Sequence, residues 1–224
     1  MGQERIASYI DHTLLKPDAQ SKDIIKLCQE AMEHNFYSVC VNSYWVPFCR
    51  EILKESQVRI SAVCGFPLGA NTSEVKAYEA AAAVGNGAAE IDMVIPIGPL
   101  IEGDHQSVIN DISGVVLAVN GKAIVKVILE TALLATEQKI LGCRLAEEAG
   151  AHYVKTSTGF SGGGATVEDI QLMRNAVSAH MGVKASGGIR DLAAALRMIE
   201  AGANRLGTSA GVSIVHGLSG TSGY

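Results

Sequence analysis

Short apolar runs rich in valine and isoleucine alternate along the chain with longer segments in which apolar residues recur at helical spacing, as in residues 21–34 and 136–150. The short runs have the length and β-branched content of buried strands. Strands that alternate with helices predict βα units on a parallel sheet. Eight such runs follow one another: SYIDHTLL, YSVCVN, RISAVCGFP, EIDMVIP, AIVKVILE, YVKTST, GVKASG and NRLGTS.

Eight units in 224 residues come close to the roughly 30 residues per unit of a (β/α)8 TIM barrel. No linker or shift in composition marks a boundary between domains, and a content of 48% hydrophobic residues is enough for a sizeable core. We therefore predict an α/β protein that is one (β/α)8 TIM-barrel catalytic domain over residues 1–224. The glycine-rich ending GLSGTSGY predicts a flexible C-terminal tail.

Charge limits the kinds of partner that the protein can bind, and cysteine content indicates the compartment in which it works. The formal net charge is −5 and no run of lysine and arginine occurs, which argues against nucleic acid and anionic membranes as partners. No apolar stretch approaches the 18 residues of a membrane span, and the N-terminus lacks the apolar segment of a signal peptide. Five scattered cysteines fit a reducing compartment, so we expect a cytoplasmic protein.

A weak repeat indicates which strand positions share a level. A Gly-Ala pair stands between a predicted helix and the next strand at positions 87, 150 and 202. Glycine there can take the left-handed conformation that ends a helix. The residues five positions beyond these glycines are Asp92, Lys155 and Gly207. If the three strands start in the same register, these residues share a height, and Asp92 and Lys155 face the same side.

Two predicted strands carry a lysine in an otherwise apolar run, Lys155 in YVKTST and Lys184 in GVKASG. Neighbouring buried ammonium groups favour each other's neutral form, so each lysine would lower the pKa of the other. A neutral amine can attack a carbonyl and form a Schiff base. Asp92 could move protons beside them. The alternative is a structural salt bridge of one lysine with Asp92 or Glu130.

Glycine-rich turns follow the last three predicted strands. Backbone N–H groups in such turns bind phosphate, and the loops after strands 7 and 8 are the usual phosphate site of these barrels. The turns contain Gly159, Gly162, Gly163, Gly164, Gly187, Gly188, Gly207, Thr208 and Ser209, with Arg190 close by.

Three further side chains have an open role. Lys126 lacks the serine-glycine sequel of the other two lysines, and we interpret it as an ion-pair partner in the barrel. Asp11 and Thr13, at the end of the first strand, could contact substrate or form a turn-capping pair. The six histidines show no metal-ligand spacing, so we predict no metal.

The motifs EIDMV, VKTSTGF and VKASGGIR occur together and in order, and with them the chain resembles the deoxyribose-phosphate aldolases, Schiff-base aldolases with a (β/α)8 barrel. The likeness extends from IDHTLLKP through GFPLGAN and VKVILET to GTSAGV. It implies reversible cleavage of 2-deoxy-D-ribose 5-phosphate to acetaldehyde and D-glyceraldehyde 3-phosphate in deoxyribonucleotide catabolism. It also implies that no cofactor is needed and that the protein is a homo-oligomer, a dimer in this family.

The resemblance also implies roles for individual residues. Lys155 is the Schiff-base nucleophile, Lys184 the neighbour that lowers its pKa and relays protons, and Asp92 a proton donor or acceptor. Tyr224 either assists protonation of the enamine or belongs to a disordered terminus. Ala210 stands where some members carry a second phosphate-binding serine. The phosphate site implied is Gly159, Gly187, Gly188, Gly207 and Ser209.

Two other readings of the same residues stay open. A Schiff-base aldolase or dehydratase for another sugar phosphate or a keto acid would keep the lysine chemistry. A catalytically silent barrel that binds phosphorylated metabolites would use the lysines only to hold an anion.

Overall fold

The computed structural model describes residues 6–218 and 220. Eight parallel strands pair in sequence order and β8 closes on β1, so the predicted (β/α)8 barrel is confirmed. Each predicted apolar run contains one strand. The strands are β1 Ile10–Leu14, β2 Ser38–Val41, β3 Arg59–Cys64, β4 Glu90–Val94, β5 Ile124–Ile128, β6 Tyr153–Lys155, β7 Gly182–Ser186 and β8 Arg205–Thr208.

Helices connect the strands and surround the barrel. They are α1 Ser21–Glu33, α2 Val46–Leu53, α3 Ser73–Asn86, α4 Ile97–Glu102, α5 His105–Val119, α6 Thr136–Glu148, α7 Val167–Ala176, α8 Leu192–Glu200 and α9 Gly211–Val215, with 3₁₀ turns at Ser43–Trp45 and Thr131–Leu133. In the part of the chain that the structure describes, no helix combines the length and the apolar character needed to cross a bilayer.

Capping residues fix where the helices around the site begin and end. Asp191 accepts a hydrogen bond from Ala194 N at the start of α8, and Thr166 caps α7 in the same way. Gly87 ends α3 with φ +119°, as the Gly-Ala repeat predicts. A side chain at Gly87 would also place its Cβ 2.7 Å from Arg50 Cδ. These ends direct each following strand back into the sheet.

The apolar core lies between the barrel and its helices. Alternate residues of each strand face outward, and most of them are fully buried there, among them Val39, Ile91, Met93, Val125 and Val127. The remaining residues face inward, where the strands carry mainly polar and charged side chains, together with a few apolar ones such as Val63 and Ile128. The barrel is therefore packed with apolar residues on its outside and ionic groups on its inside.

The inward-facing side chains form layers across the barrel. Because barrel strands are tilted, a layer takes its residues from alternate strands. The strand pairing places the three positions of the Gly-Ala repeat in one layer, which is Cys40, Asp92, Lys155 and Gly207. The next layer toward the N-terminal ends is Asp11, Ser61, Lys126 and Lys184. The predicted common height is confirmed.

Candidate active site

Three lysines converge on the carboxylate of Asp92. Its Oδ2 accepts hydrogen bonds from Lys155 Nζ at 2.8 Å and from Lys184 Nζ at 2.7 Å. Its Oδ1 accepts from Lys126 Nζ at 2.6 Å and from Ser61 Oγ at 3.1 Å. The structure thus brings Asp92 and both predicted lysines together. It also confirms Lys126 as an ion-pair partner inside the barrel.

Asp11 belongs to the same cluster. Its carboxylate accepts hydrogen bonds from Lys184 Nζ at 2.5 Å, Arg205 Nη1 at 2.9 Å and Ser38 Oγ at 2.7 Å. Thr13 Oγ1 donates to the main-chain oxygen of Asp11 at 2.8 Å, which favours the turn-capping interpretation of this pair. The Asp11 carboxylate faces Lys184 rather than the glycine-rich loops, and its predicted contact with substrate stays a prediction.

A lower part of the cluster completes the charge balance. Glu90 pairs with Lys126 at 2.6 Å and with Arg205 at 3.1 Å. All seven charged groups are buried, and they number three carboxylates against four cations: Asp11, Glu90 and Asp92 with Lys126, Lys155, Lys184 and Arg205. The net charge of the cluster is zero when one of its lysines gives up its proton.

The surroundings of the lysines identify which one is neutralised most easily. Burial lowers the pKa of Lys155 below its usual value, the Lys184 ammonium adds to this, and Asp92 only partly opposes it. Burial also disfavours the Lys184 ammonium, yet the carboxylates of Asp11 and Asp92 outweigh it and hold the pKa of Lys184 well above its usual value. The pKa of Lys184 is therefore raised overall and not lowered, because the two carboxylates outweigh the other influences on it. Lys155 is the amine poised to be nucleophilic.

Asp92 is a carboxylate at neutral pH. Burial alone would raise its pKa, but Lys126, Lys155 and Lys184 together hold the pKa of Asp92 well below the usual range. In the resting site it accepts hydrogen bonds and holds two ammonium groups close to each other. The salt-bridge interpretation and a role in proton transfer are compatible with this geometry.

Within the described part of the chain Glu130 forms no ion pair with a lysine, since Lys126, Lys155 and Lys184 pair with other carboxylates, so that part of the salt-bridge alternative is wrong. Its carboxylate accepts hydrogen bonds from Thr158 N, Thr158 Oγ1 and Ser161 Oγ. Glu130 is fully buried at the end of β5 and has a left-handed backbone with φ +58°. The distance along the chain between Glu130 and its partners left no local signal in the sequence.

The glycine-rich loops enclose a cavity of about 370 Å³ at the C-terminal ends of β6, β7 and β8. Gly164 packs so closely on the loop after β7 that a Cβ there would lie 2.5 Å from Gly187 O. The cavity therefore depends on direct packing of one backbone on another. The residues that line it are Gly159, Gly162, Gly163, Gly164, Gly187, Gly188, Ile189, Arg190, Thr208 and Ser209.

Two predicted residues lie elsewhere. Gly207 is in β8, paired with Ser186 and Asp11, below the residues that line the cavity. Tyr224 lies outside the residues that the structure describes. Ala210 is buried beside the cavity, and its main-chain N donates to Thr208 Oγ1 at 2.9 Å.

Within the described residues, no group of three or more histidine, cysteine, aspartate and glutamate side chains could hold a metal ion.

Sequence reasoning missed Glu90 and Arg205. Glu90 precedes Asp92 by two residues, and a period of two places both on the inner side of β4. Arg205 stands two residues before Gly207 in β8, which gives it the same inward orientation. Applying the two-residue period to every charged residue in the predicted strands would have found both.

Known proteins are similar to this chain over nearly its whole length. Residues 5–217 match the sequence pattern described as DeoC/LacD family aldolase. Deoxyribose-phosphate aldolase 1 of Bacillus licheniformis is 58% identical over 221 residues, which cover 99% of each chain. Deoxyribose-phosphate aldolase of Alkaliphilus oremlandii is 60% identical over 94% of this chain and 95% of its own. The tetrameric deoxyribose phosphate aldolase of Aeropyrum pernix superposes with a TM-score of 0.89 at 34% identity, over 96% of this chain and 91% of its own.

Proposed function

The chain belongs to the DeoC/LacD family of aldolases, and we propose that it reversibly cleaves 2-deoxy-D-ribose 5-phosphate to acetaldehyde and D-glyceraldehyde 3-phosphate. It is a carbon–carbon lyase that acts through a lysine Schiff base, in deoxyribonucleotide catabolism. Relatives that are 55–60% identical over nearly the whole chain carry the name of this activity. The observation that supports the chemistry best is the placement of Lys155 and Lys184 on one oxygen of Asp92.

Imine formation is the first step. The Lys155 amine, favoured in its neutral form by burial and by Lys184, attacks C1 of the open-chain sugar phosphate. Loss of water from the carbinolamine gives an iminium at C1. The Lys184 ammonium and the Asp92 carboxylate, 2.7 Å apart, form a donor–acceptor pair that can supply and accept the protons of this dehydration.

Cleavage follows from the electron demand of the iminium. A base acting through water takes the proton of the C3 hydroxyl, the C2–C3 bond breaks, and its electron pair moves into the C1–C2 enamine. D-Glyceraldehyde 3-phosphate leaves as the aldehyde. Protonation of the enamine at C2 and hydrolysis of the imine release acetaldehyde and restore Lys155. We also propose that Tyr224, outside the described residues, assists the protonation at C2.

The glycine-lined cavity accommodates the 5-phosphate in this proposal. Its backbone N–H groups and Ser209 provide donors, and Arg190 provides a positive charge at the rim. The cavity lies at the C-terminal ends of the strands that carry Lys155 and Lys184, so one substrate can reach both lysines. Gly207 and Asp11 stay predicted contacts without a place in the cavity lining.

Gly164→Ala should weaken phosphate binding. The new Cβ would lie 2.5 Å from Gly187 O, so the two loops that line the cavity must separate. We expect KM for 2-deoxy-D-ribose 5-phosphate to rise roughly 10-fold or more, with little change for unphosphorylated 2-deoxy-D-ribose. Gly114→Ala in α5, where a Cβ meets nothing within 4 Å, is the control. An unchanged KM in Gly164→Ala would show that the phosphate does not bind in this cavity.

The activity itself is tested by product analysis. Incubation of the protein with 2-deoxy-D-ribose 5-phosphate should yield equal amounts of acetaldehyde and D-glyceraldehyde 3-phosphate. Alcohol dehydrogenase reduces the acetaldehyde, and glycerol-phosphate dehydrogenase reduces the dihydroxyacetone phosphate that triose-phosphate isomerase forms from D-glyceraldehyde 3-phosphate. Cleavage of a different sugar phosphate or a keto acid in its place would support the related aldolase reading. Binding without cleavage of any of them would support the silent barrel.

Two further proposals concern the assembly of the protein and its location in the cell. We propose a homo-oligomer, a dimer by family resemblance, and the Aeropyrum pernix relative is described as a tetramer. Light scattering on the purified protein tests this. We also propose a cytoplasmic location, because all five cysteines are buried and unpaired, as is common in a reducing compartment.

A further inference from the structure

Glu130 combines two costly features outside the ion-pair cluster. Its side chain is fully buried, although a carboxylate loses favourable hydration on burial. Its backbone has φ +58° and ψ +62°, a left-handed conformation that few residues other than glycine and asparagine adopt. Among the described residues no cation lies within ion-pair distance of it. Local interactions of the carboxylate must offset both costs.

Those interactions all involve one loop. Glu130 accepts hydrogen bonds from Thr158 N at 3.2 Å, from Thr158 Oγ1, and from Ser161 Oγ at 3.1 Å. Thr158 Oγ1 in turn accepts a hydrogen bond from Phe160 N at 3.0 Å. The carboxylate of a residue on the β5 side thereby fixes residues 158–161 of the loop that follows β6.

The same loop forms one wall of the glycine-lined cavity. Gly159, Gly162, Gly163 and Gly164 line the cavity, whereas Glu130 does not. A second contact ties the loop to the β5 side, because a Cβ at Gly163 would lie 2.3 Å from Ala132 Cβ. The residues just after β5 therefore pack against the side of this loop that faces away from the cavity.

We propose that Glu130 is a positioning residue that holds the 158–164 loop in the conformation required to bind the phosphate end of the substrate. This rests on the proposed function for the identity of the phosphate. Glu130 does not line the cavity, and among the described residues it forms no ion pair with the lysine cluster, so it acts on affinity for the phosphate through the loop. The chemistry at Lys155 proceeds independently of it.

Two variants separate the side chain from the backbone. Glu130→Asn tolerates the left-handed conformation but is too short to reach Thr158 and Ser161. We expect its KM for 2-deoxy-D-ribose 5-phosphate to rise about 10- to 100-fold, while kcat/KM for unphosphorylated 2-deoxy-D-ribose stays within about threefold of wild type. Glu130→Gln keeps one acceptor oxygen for Thr158 N, so its KM should lie between that of wild type and that of Glu130→Asn. Glu168→Gln, at an exposed position in α7, is the matched control.

Two readouts do not need turnover. Hydrogen exchange of the Thr158 and Phe160 amides should be faster in Glu130→Asn than in wild type, and the affinity for inorganic phosphate, measured by calorimetry, should fall by the same factor as KM rises. These readouts test the loop even if the wild type leaves 2-deoxy-D-ribose 5-phosphate uncleaved. Equal losses on the phosphorylated and unphosphorylated sugars, or unchanged exchange and phosphate affinity, would overturn the proposal.

Discussion

Lys155→Arg will abolish turnover of 2-deoxy-D-ribose 5-phosphate, with a fall in kcat of at least about 10⁴-fold, the scale of loss when a covalent nucleophile is removed. A guanidinium stays protonated at any accessible pH and cannot attack a carbonyl. Arginine still carries a positive charge beside Asp92, which accepts a hydrogen bond from Lys155 at 2.8 Å. The measurement is a coupled assay of acetaldehyde release from pH 6 to 10.

The matched control is Lys139→Arg. Lys139 pairs with Asp169 at 2.7 Å on the outside of the barrel, so the same substitution there should leave kcat unchanged. Thermal unfolding of both variants shows whether the barrel remains folded. If Lys155→Arg retained turnover and Lys184→Arg lost it, the nucleophile would be Lys184 and not Lys155.

Lys184→Leu will shift the acid limb of the kcat/KM profile to higher pH. Both ammonium groups bind the same oxygen of Asp92, at 2.8 and 2.7 Å, so their nitrogens lie within about 5.5 Å of each other. At an effective dielectric constant of about 20 this repulsion is roughly 3 kcal/mol. Removing Lys184 also leaves Asp11 and Asp92 less compensated. Both changes favour the Lys155 ammonium and raise its pKa.

The sign of the pH effect follows from the reactive form. The neutral amine attacks, so activity rises with pH through the pKa of Lys155 and a raised pKa moves that limb upward. We expect a variant that is weak at neutral pH and regains part of its rate in alkaline buffer. Asp11 keeps Arg205 as a partner and Asp92 keeps Lys126, so the fold should survive.

Lys122→Leu, at an exposed position, is the control for this substitution. It should leave the profile in place. If the acid limb of Lys184→Leu coincides with that of wild type while the maximal rate falls, Lys184 acts as a proton relay and has no electrostatic effect on Lys155. Burial by leucine opposes the shift, since it disfavours any charge nearby, whereas the less compensated carboxylates of Asp11 and Asp92 add to it, so the observed displacement is the sum of these effects and the lost repulsion.

The sequence was sufficient to predict the barrel because each apolar run had the length and composition of a strand and no linker interrupted the alternation. It was also sufficient to place Asp92 and Lys155 at one height. The Gly-Ala pairs fix the start of those strands. Because side chains alternate with a period of two along a strand, Asp92 and Lys155 then face the same side of the sheet.

What the sequence left open depends on distance across the barrel. Asp11 and Lys184 are 173 residues apart in the chain, and no local pattern relates them. Without that contact the two lysines look equivalent, and a mutual lowering of their pKa values is the natural expectation. Asp11 is what makes them different, because it stabilises the Lys184 ammonium and leaves Lys155 as the lysine with the lowered pKa.

The most direct measurement is chemical trapping of the imine. The wild-type protein is incubated with acetaldehyde, reduced with borohydride, digested and analysed by mass spectrometry. The account predicts an N-ethyl group on Lys155, in the peptide that contains YVKTSTGF, and loss of activity in proportion to its formation. An N-ethyl group on Lys184 alone, or none on either lysine while the activity survives reduction, would contradict it.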